Sequence, residues 1–236
     1  MRNPGIVIAL LPEAACLAAD PVINTPLQLT DRISLYITGM GAERTRRGAE
    51  QLLAGGADSL VSMGTTGALH PGLTPGTVVV PEKIIRQDGQ TYDITASWRI
   101  RVIEKLAGTP LPTHTGNLAH SDSILCSRQE KSTLHQKSGA VAVDMESAVI
   151  AALAREKNVP VLALRAVVDT AAMVIPAPVL EHSDAFGKVS LPDLLFSLIR
   201  QPGKIPDFIR LARGFRSASD NLRWLGRRID AILLSD

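Results

Sequence analysis

Three carboxylic acids stand out because each follows a short run of apolar, largely β-branched residues. Glu13 comes after Ile6 to Leu11, Glu146 after Ala140 to Val143, and Asp169 after Val159 to Val168. A carboxyl at the end of a buried strand loses solvation and holds its proton to higher pH, which suits it to proton transfer near neutrality. A single acid in such a place is more often a helix cap or a solvated loop residue. Three at three strand ends are harder to dismiss. A quartet, Gly64-Thr65-Thr66-Gly67, follows a fourth run, Ser59 to Met63, and reads as a tight turn. Its glycines admit close backbone approach, and its hydroxyls can donate to an anion or a ligand oxygen.

Elements that alternate strand and helix are needed to bring these residues together. The pattern predicts strands at Ile6 to Leu11, Ile33 to Thr38, Ser59 to Met63, Thr77 to Pro81 or onward to Ile85, Thr115 to His120, Ala140 to Val143 and Val159 to Val168. It predicts helices from about Ala42 to Leu53, stopped by Gly55-Gly56, from Trp98 to Leu106, and from Ser147 to Lys157. Proline-punctuated helices follow at Leu191 to Arg200, Pro206 to Arg216 and Ala218 to Leu234. In an open α/β sheet, ligands bind beyond the carboxyl ends of the strands, which is where the acids and the quartet fall.

The whole chain suits this reading. Of its 236 residues 45% are hydrophobic and 20% charged, the balance of a globular protein large enough to need neither metal nor disulfide. Cys16 and Cys126 read as isolated thiols. His70, His114, His120, His135 and His182 lack metal-ligand spacing, so no metal is expected, and His182 alone, in the loop Pro176 to Lys188, could close over a site. Trp98 and Tyr92 are candidates for an apolar pocket wall, although packing is the commoner role. A net charge of +2 makes no case for a nucleic-acid binder. The short apolar run near the N-terminus is neither a span nor a cleavable signal, so a cytoplasmic location is expected.

Four blocks carry a family resemblance: Ile8 to Glu13, Gly39-Met40-Gly41 with Ser62 to Leu69, Val143 to Ala148 (V-D-M-E-S-A), and Arg165 to Asp169 (R-A-V-V-D). Together they resemble the nucleoside phosphorylase and nucleosidase superfamily, especially the methylthioadenosine/S-adenosylhomocysteine nucleosidases. The resemblance implies an α/β single domain with a central mixed twisted sheet flanked by helices, spanning residues 1–190, and a helical C-terminal extension over 191–236. It implies a homo-oligomer, no cofactor, and either water or inorganic phosphate as co-substrate. Cleaving a ribosyl–purine bond passes through a cationic sugar, which calls for an acid at the base, carboxylates near the sugar and a nucleophile beneath it. By resemblance Asp169 protonates purine N7, Glu146 holds the ribose hydroxyls, and Glu13 orients the attacking water. Met145 and Asp144 line the sugar, Gly64 and Thr65 lie near the nucleophile or phosphate, and Ser123, Ile124 and Leu125 border the base.

Departures narrow the reading. A phosphate-binding arginine of the phosphorylases is matched by Ser62, with Arg44 as a substitute whose ordinary role is a solvated helix face. The segment whose aromatic ring stacks on adenine is Ser121 to Leu125 here, with Ile124 in place of the ring, so weaker stacking is expected. The tail, rich in arginine and apolar stripes, resembles the hopanoid-associated phosphorylase branch, which implies a lipid-linked substrate such as adenosylhopane and peripheral contact with the inner membrane face. Apolar stripes of this kind more often face a core or a dimer partner. The alternatives are a methylthioadenosine/S-adenosylhomocysteine nucleosidase and a nucleoside-binding or membrane-associated scaffold without catalysis.

Overall fold

The computed structural model describes residues 2–176, 184–187 and 202–234. Among the described residues, eleven strands form one mixed sheet. Its centre is β1 (Pro4–Ile8), which pairs in parallel with β3 (Ser34–Ile37) on one side and β4 (Ser59–Ala68) on the other. The first of these is apolar and buried at every position, as a strand covered on both faces must be. Short β2 (Leu27–Gln28) extends the edge beyond β3.

The long strand β4 is the axis of the molecule. Along its far edge runs β11 (Val161–Asp169), parallel and in register from Val161↔Leu60 to Val167↔Thr66. Its last residues turn to β10 (Ala142–Asp144), antiparallel, with Val143 opposite Gly67. From there the sheet continues through β9 (Leu118–His120), β6 (Lys83–Ile85) and β7 (Thr91–Asp93), while β5 (Val78–Val79) and β8 (Thr113–His114) follow from β11. The quartet Gly64 to Gly67 is therefore not a turn: strand partners on both sides supply ladder hydrogen bonds, and the backbone stays extended to Ala68.

Helices cover both faces. They are α1 (Leu11–Ala14), α2 (Ala42–Ala54), α3 (Ala96–Leu106), α4 (Arg128–Ser138), α5 (Ser147–Lys157), α6 (Ile205–Gly226) and α7 (Ile229–Leu233), numbered among the described residues. Pro12 in the first turn of α1 ends the first strand at Ile8 instead of Leu11. Sequence reasoning overlooked α4, although Ser127 and Glu130 form a reciprocal capping box at its start.

Near the C-terminus the two helices expected at Pro206 to Arg216 and Ala218 to Leu234 are one continuous α6 followed by the short α7. Ser217, the supposed break, donates to the Pro75 carbonyl, and Asn221 donates to that of Gly76, so α6 is pinned along the turn that precedes β5. The helix expected at Leu191 to Arg200 lies outside the described residues, as does the boundary at 190/191. Leu222, Leu225, Ile229 and Ile232 join the same core as β1, β4 and β11. Trp98 and Tyr92 are packing residues: the buried Trp98 indole donates to the Leu233 carbonyl at 2.9 Å, and Arg155 stacks on Tyr92. No described helix is long and apolar enough to cross a membrane.

Candidate active site

A cleft of about 260 Å³ opens where β4, β10 and β11 end, walled by α1, α4 and α6. Glu13, Thr65, Ser123, Ile124, Leu125, Asp144, Met145, Glu146 and Asp169 all line it. Gly64 lies directly behind the lining. A Cβ there would stand 2.8 Å from both Arg165 Nη1 and Glu13 Oε2, so the close approach of these two groups to β4 requires glycine.

Glu13 reaches the cleft from α1 and is buried. Its Oε1 accepts from the backbone amide of Thr65 at 2.8 Å and from the Thr65 hydroxyl at 2.6 Å, while Oε2 accepts from Leu10 N at 3.3 Å. Burial pushes its pKa up, and Arg165 and these hydrogen bonds pull against that. Glu146 sits at the N-terminal boundary of α5, where its raised pKa is pushed to about 8 by burial, opposed by Arg165 and reinforced by Asp144 and Glu13.

Arg165 organises this end of the cleft. Buried on β11, it pairs with Asp144 at 2.6 Å and approaches Glu146 at 3.8 Å. It also donates to Ser62 at 2.6 Å, and Ser62 in turn shares a hydrogen bond with Ser147. Ser62 thus belongs to the arginine's cradle. Asp144 is correspondingly a partner of Arg165 first; its second oxygen is buried with no protein donor among the described residues.

Asp169 marks the other end. The β11–β4 register slips at Val168, so that Asp169, not Val168, faces Gly67. Such a bulge re-aims the following side chain. A Cβ on Gly67 would lie 3.2 Å from Asp169 Oδ1, which makes that glycine part of the geometry. The bulge is braced from outside, because a Cβ on Gly214 of α6 would stand only 1.9 Å from the Val168 carbonyl oxygen. Burial raises the pKa of Asp169 against the pull of Lys131.

Lys131 was not singled out in the sequence. Its side chain is 1% exposed; its ammonium pairs with Asp169 and donates to the carbonyls of Thr170 and Met173, both at 3.0 Å. The capping box of α4, which fixes that helix's first turn, was the available signal. Also unforeseen are the apolar walls from Leu10, Met40, Ile175, Leu211 and Phe215. Phe215 follows Gly214, which packs against Val168, and so brings an aromatic ring to the cleft in which Ile124 stands where weaker stacking is expected.

Arg44 does not reach the cleft. It is exposed on α2 and lies over the ring of Phe186, 5.8 Å from its centroid, so its expected anion-binding role is not supported by its position. His182 lies outside the described residues. His70, His114 and His135 cluster at the surface, where His70 and His114 accept backbone N–H bonds through Nδ1.

The arrangement joins buried acids at two points of β4, Gly64–Thr65 and Gly67, separated by about 7–10 Å at the rise of an extended strand. An elongated ligand can lie along it with an acid at each end.

This mixed sheet with acids at its strand ends defines an α/β enzyme-like fold, and a sequence model of the Phosphorylase superfamily matches residues 27–190. The chain belongs to that superfamily. It is 28% identical over 151 residues to the DeoD-type purine nucleoside phosphorylase of Streptococcus thermophilus (strain ATCC BAA-491 / LMD-9), covering 59% of this chain and 64% of that protein. The DeoD-type enzyme of Caldanaerobacter subterraneus subsp. tengcongensis is 27% identical over 150 residues, with 59% and 65% covered. The chain therefore spans just under two thirds of these relatives' lengths.

Among solved structures, the 5'-methylthioadenosine/S-adenosylhomocysteine nucleosidase of Neisseria meningitidis in complex with methylthio-immucillin-A has the same fold, with a TM-score of 0.72, 16% identity, and coverage of 98% of this chain and 100% of that one. Futalosine hydrolase of Helicobacter pylori strain 26695 gives a TM-score of 0.64 at 20% identity, over 72% and 86%.

Proposed function

We propose that this chain hydrolyses the N-glycosidic bond of an adenine nucleoside, with Asp169 protonating the leaving base, Glu146 holding the ribose hydroxyls and Glu13 taking the proton of the attacking water. The observation that carries the reading is the set of three buried acids on one cleft, each with its pKa raised, as proton transfer near neutrality needs. Water is favoured over phosphate by charge. Among the described cleft residues, both buried cations are already committed, Arg165 to Asp144 and Lys131 to Asp169, and Arg44 stands outside. A phosphate dianion would meet Glu13 and Glu146 without a free counter-charge.

The apolar walls, from Leu10, Met40, Ile124, Leu211 and Phe215, favour an apolar 5′ substituent. Adenosylhopane, implied by the resemblance to the hopanoid-associated branch, is the form proposed; methylthioadenosine or S-adenosylhomocysteine is the second reading, in keeping with the structural neighbours. The division into a 1–190 body and a 191–236 extension belongs to the proposal, with the extension supplying Leu211 and Phe215. A homo-oligomer and peripheral membrane contact belong to it too. The latter is supported by the solvent face of α6, where Ile205 (39% exposed) and Ile209 (41%) precede Arg213 and Arg216.

The deciding assay follows adenine release with and without phosphate and identifies the sugar product. Phosphate-independent release with a free sugar is expected. Strict phosphate dependence with a sugar phosphate would overturn hydrolysis, and no release from any adenine nucleoside would overturn the whole reading.

A further inference from the structure

The reaction proposed above leaves an anion behind. When the O–H bond of the Asp169 carboxylic acid breaks and an N–H bond forms at N7, the glycosidic electron pair passes to the base. Water supplies oxygen to the sugar and its proton goes to Glu13. Asp169 is then a carboxylate in an apolar cleft, and such a charge is costly unless something meets it.

We propose that Lys131 is the positioning residue for this acid: its ammonium meets the negative charge that appears on Asp169 and, through the Thr170 and Met173 carbonyls, holds the wall beside the base in place. The inference rests on the nucleosidase reading. It stands on geometry: a lysine 1% exposed, carried by the capped first turn of α4, with its ammonium on Asp169 and on the carbonyls of Thr170 and Met173, the two ends of the turn after β11. That segment contributes Ile175 to the cleft, so one ammonium ties the acid, its strand end and part of the wall.

The groups facing Asp169 make Lys131 the charge that matters. From β4 comes Gly67, and from α6 come Gly214, behind the bulge, and Phe215 in the wall, none of which titrates. From the loop before α4 comes Cys126, whose thiol is pushed up chiefly by burial, with Asp169 adding in the same direction. Burial alone would make Asp169 a reluctant proton donor, and an adjacent cation corrects this, since proton transfer is most effective when donor strength is matched to the working pH.

The test compares Lys131→Met with Lys131→Arg, both checked first for cooperative unfolding, on two probes: 5′-methylthioadenosine, and the corresponding 4-nitrophenyl 5-methylthioriboside, whose leaving group needs no acid. With the nucleoside, Lys131→Met should lower the plateau rate about 10- to 100-fold, the value of a charge-assisted contact. It should also move the alkaline limb of the pH–rate profile upward by about 1 to 3 pH units, because Asp169 without its cation keeps its proton longer. The nitrophenyl riboside should be cleaved at close to the wild-type rate. Lys131→Arg, which keeps the charge, should leave the limb in place.

Equal losses on both probes with an unmoved limb would reduce Lys131 to a structural part and overturn the proposal, as would a limb that shifts in Lys131→Arg. Wild-type protein that leaves the riboside intact and releases adenine from no adenine nucleoside would instead remove the underlying reading.

Discussion

Replacing Glu146 by Gln should make the protein more stable and less active at once. In the folded chain burial holds the Glu146 carboxyl up to about 8, against 4.5 for an ordinary glutamate, while in the unfolded chain it ionises normally. The stability tied to this group is fully present below pH 4.5 and is lost as pH rises toward about 8. At 1.36 kcal/mol per pH unit the gap corresponds to roughly 5 kcal/mol across that window, an upper figure because part of the rise comes from the neighbouring charges of Asp144 and Glu13. Gln cannot ionise, so the variant should lack this slope, and the difference between the two proteins should grow from near zero at pH 4.5 to several kcal/mol at pH 8, on the order of the figure above. Urea unfolding at pH 5, 6, 7 and 8 measures it directly. Adenine release should fall about 2- to 10-fold, the worth of one neutral hydrogen bond to the sugar. If the variant tracks the wild-type slope, Glu146 is not held neutral by the fold and the electrostatic account of the sugar end fails.

Asp169→Asn should lower adenine release by on the order of 10²-fold or more, because the amide matches the carboxyl in shape but gives up no proton, and should lower Tm while unfolding stays cooperative, because the buried Lys131 ammonium loses its carboxylate; a rate near wild type removes Asp169 from its role. Gly214→Ala should push the Val168 bulge and lose about 3 kcal/mol, some 6–12 °C in Tm for a chain of this size, with kcat falling alongside as Asp169 is displaced; scanning calorimetry and turnover check both, and an unshifted Tm would show that α6 simply moves aside. Phe215→Leu should raise KM for the nucleoside about 2- to 10-fold, the value of an aromatic contact beyond its area, and a KM that does not change would leave the base stacked elsewhere.

Much of this was legible because the dominant signals are local. Apolar runs, glycine stops and proline starts located β1, β3, α2, α5 and β11 within a few residues, and the three acids were found as residues that end buried runs. What escaped depended on partners far away in sequence. Gly64 to Gly67 looks like a turn until β10 and β11 are placed beside it. The slip at Val168 is a property of two paired strands, and no window of the sequence contains both. Lys131 carries no mark in its own neighbourhood of facing Asp169, because an isolated lysine in a polar helix is ordinarily solvated, and only the Ser127–Glu130 box hinted that this turn is fixed. Phe215 was hidden for the opposite reason: an apolar residue in an apolar stripe fits a core as well as a cleft. Arg44 lies exposed on α2 over Phe186, in keeping with the solvated helix face that is its ordinary role and not with the anion site it could have supplied.

The two ends of the cleft differ in charge in the direction the reaction requires. At the end proposed for the sugar, Glu13, Asp144 and Glu146 face one buried cation among the described residues, Arg165, so ionising all three would leave an uncompensated excess of negative charge, and burial holds the Glu146 carboxyl up to about 8 while Glu13, raised by burial, is pulled back by Arg165 and its hydrogen bonds to Thr65 and Leu10. Around the base, Asp169 and Lys131 balance one for one. Bond cleavage makes the sugar positive and the base negative, so each pole of the reaction meets groups of opposite tendency: proton-sharing carboxylates at one end and a lysine-backed acid at the other. Neither pole has to reorganise for this, since both cations and the glycines that admit them are fixed by β4, β11 and the capped turn of α4. The same crowding of acids proposed to favour a cationic sugar is what the folded chain bears as lost stability as pH rises toward about 8, which is why a Glu146 that cannot ionise should relieve the fold and weaken the site together.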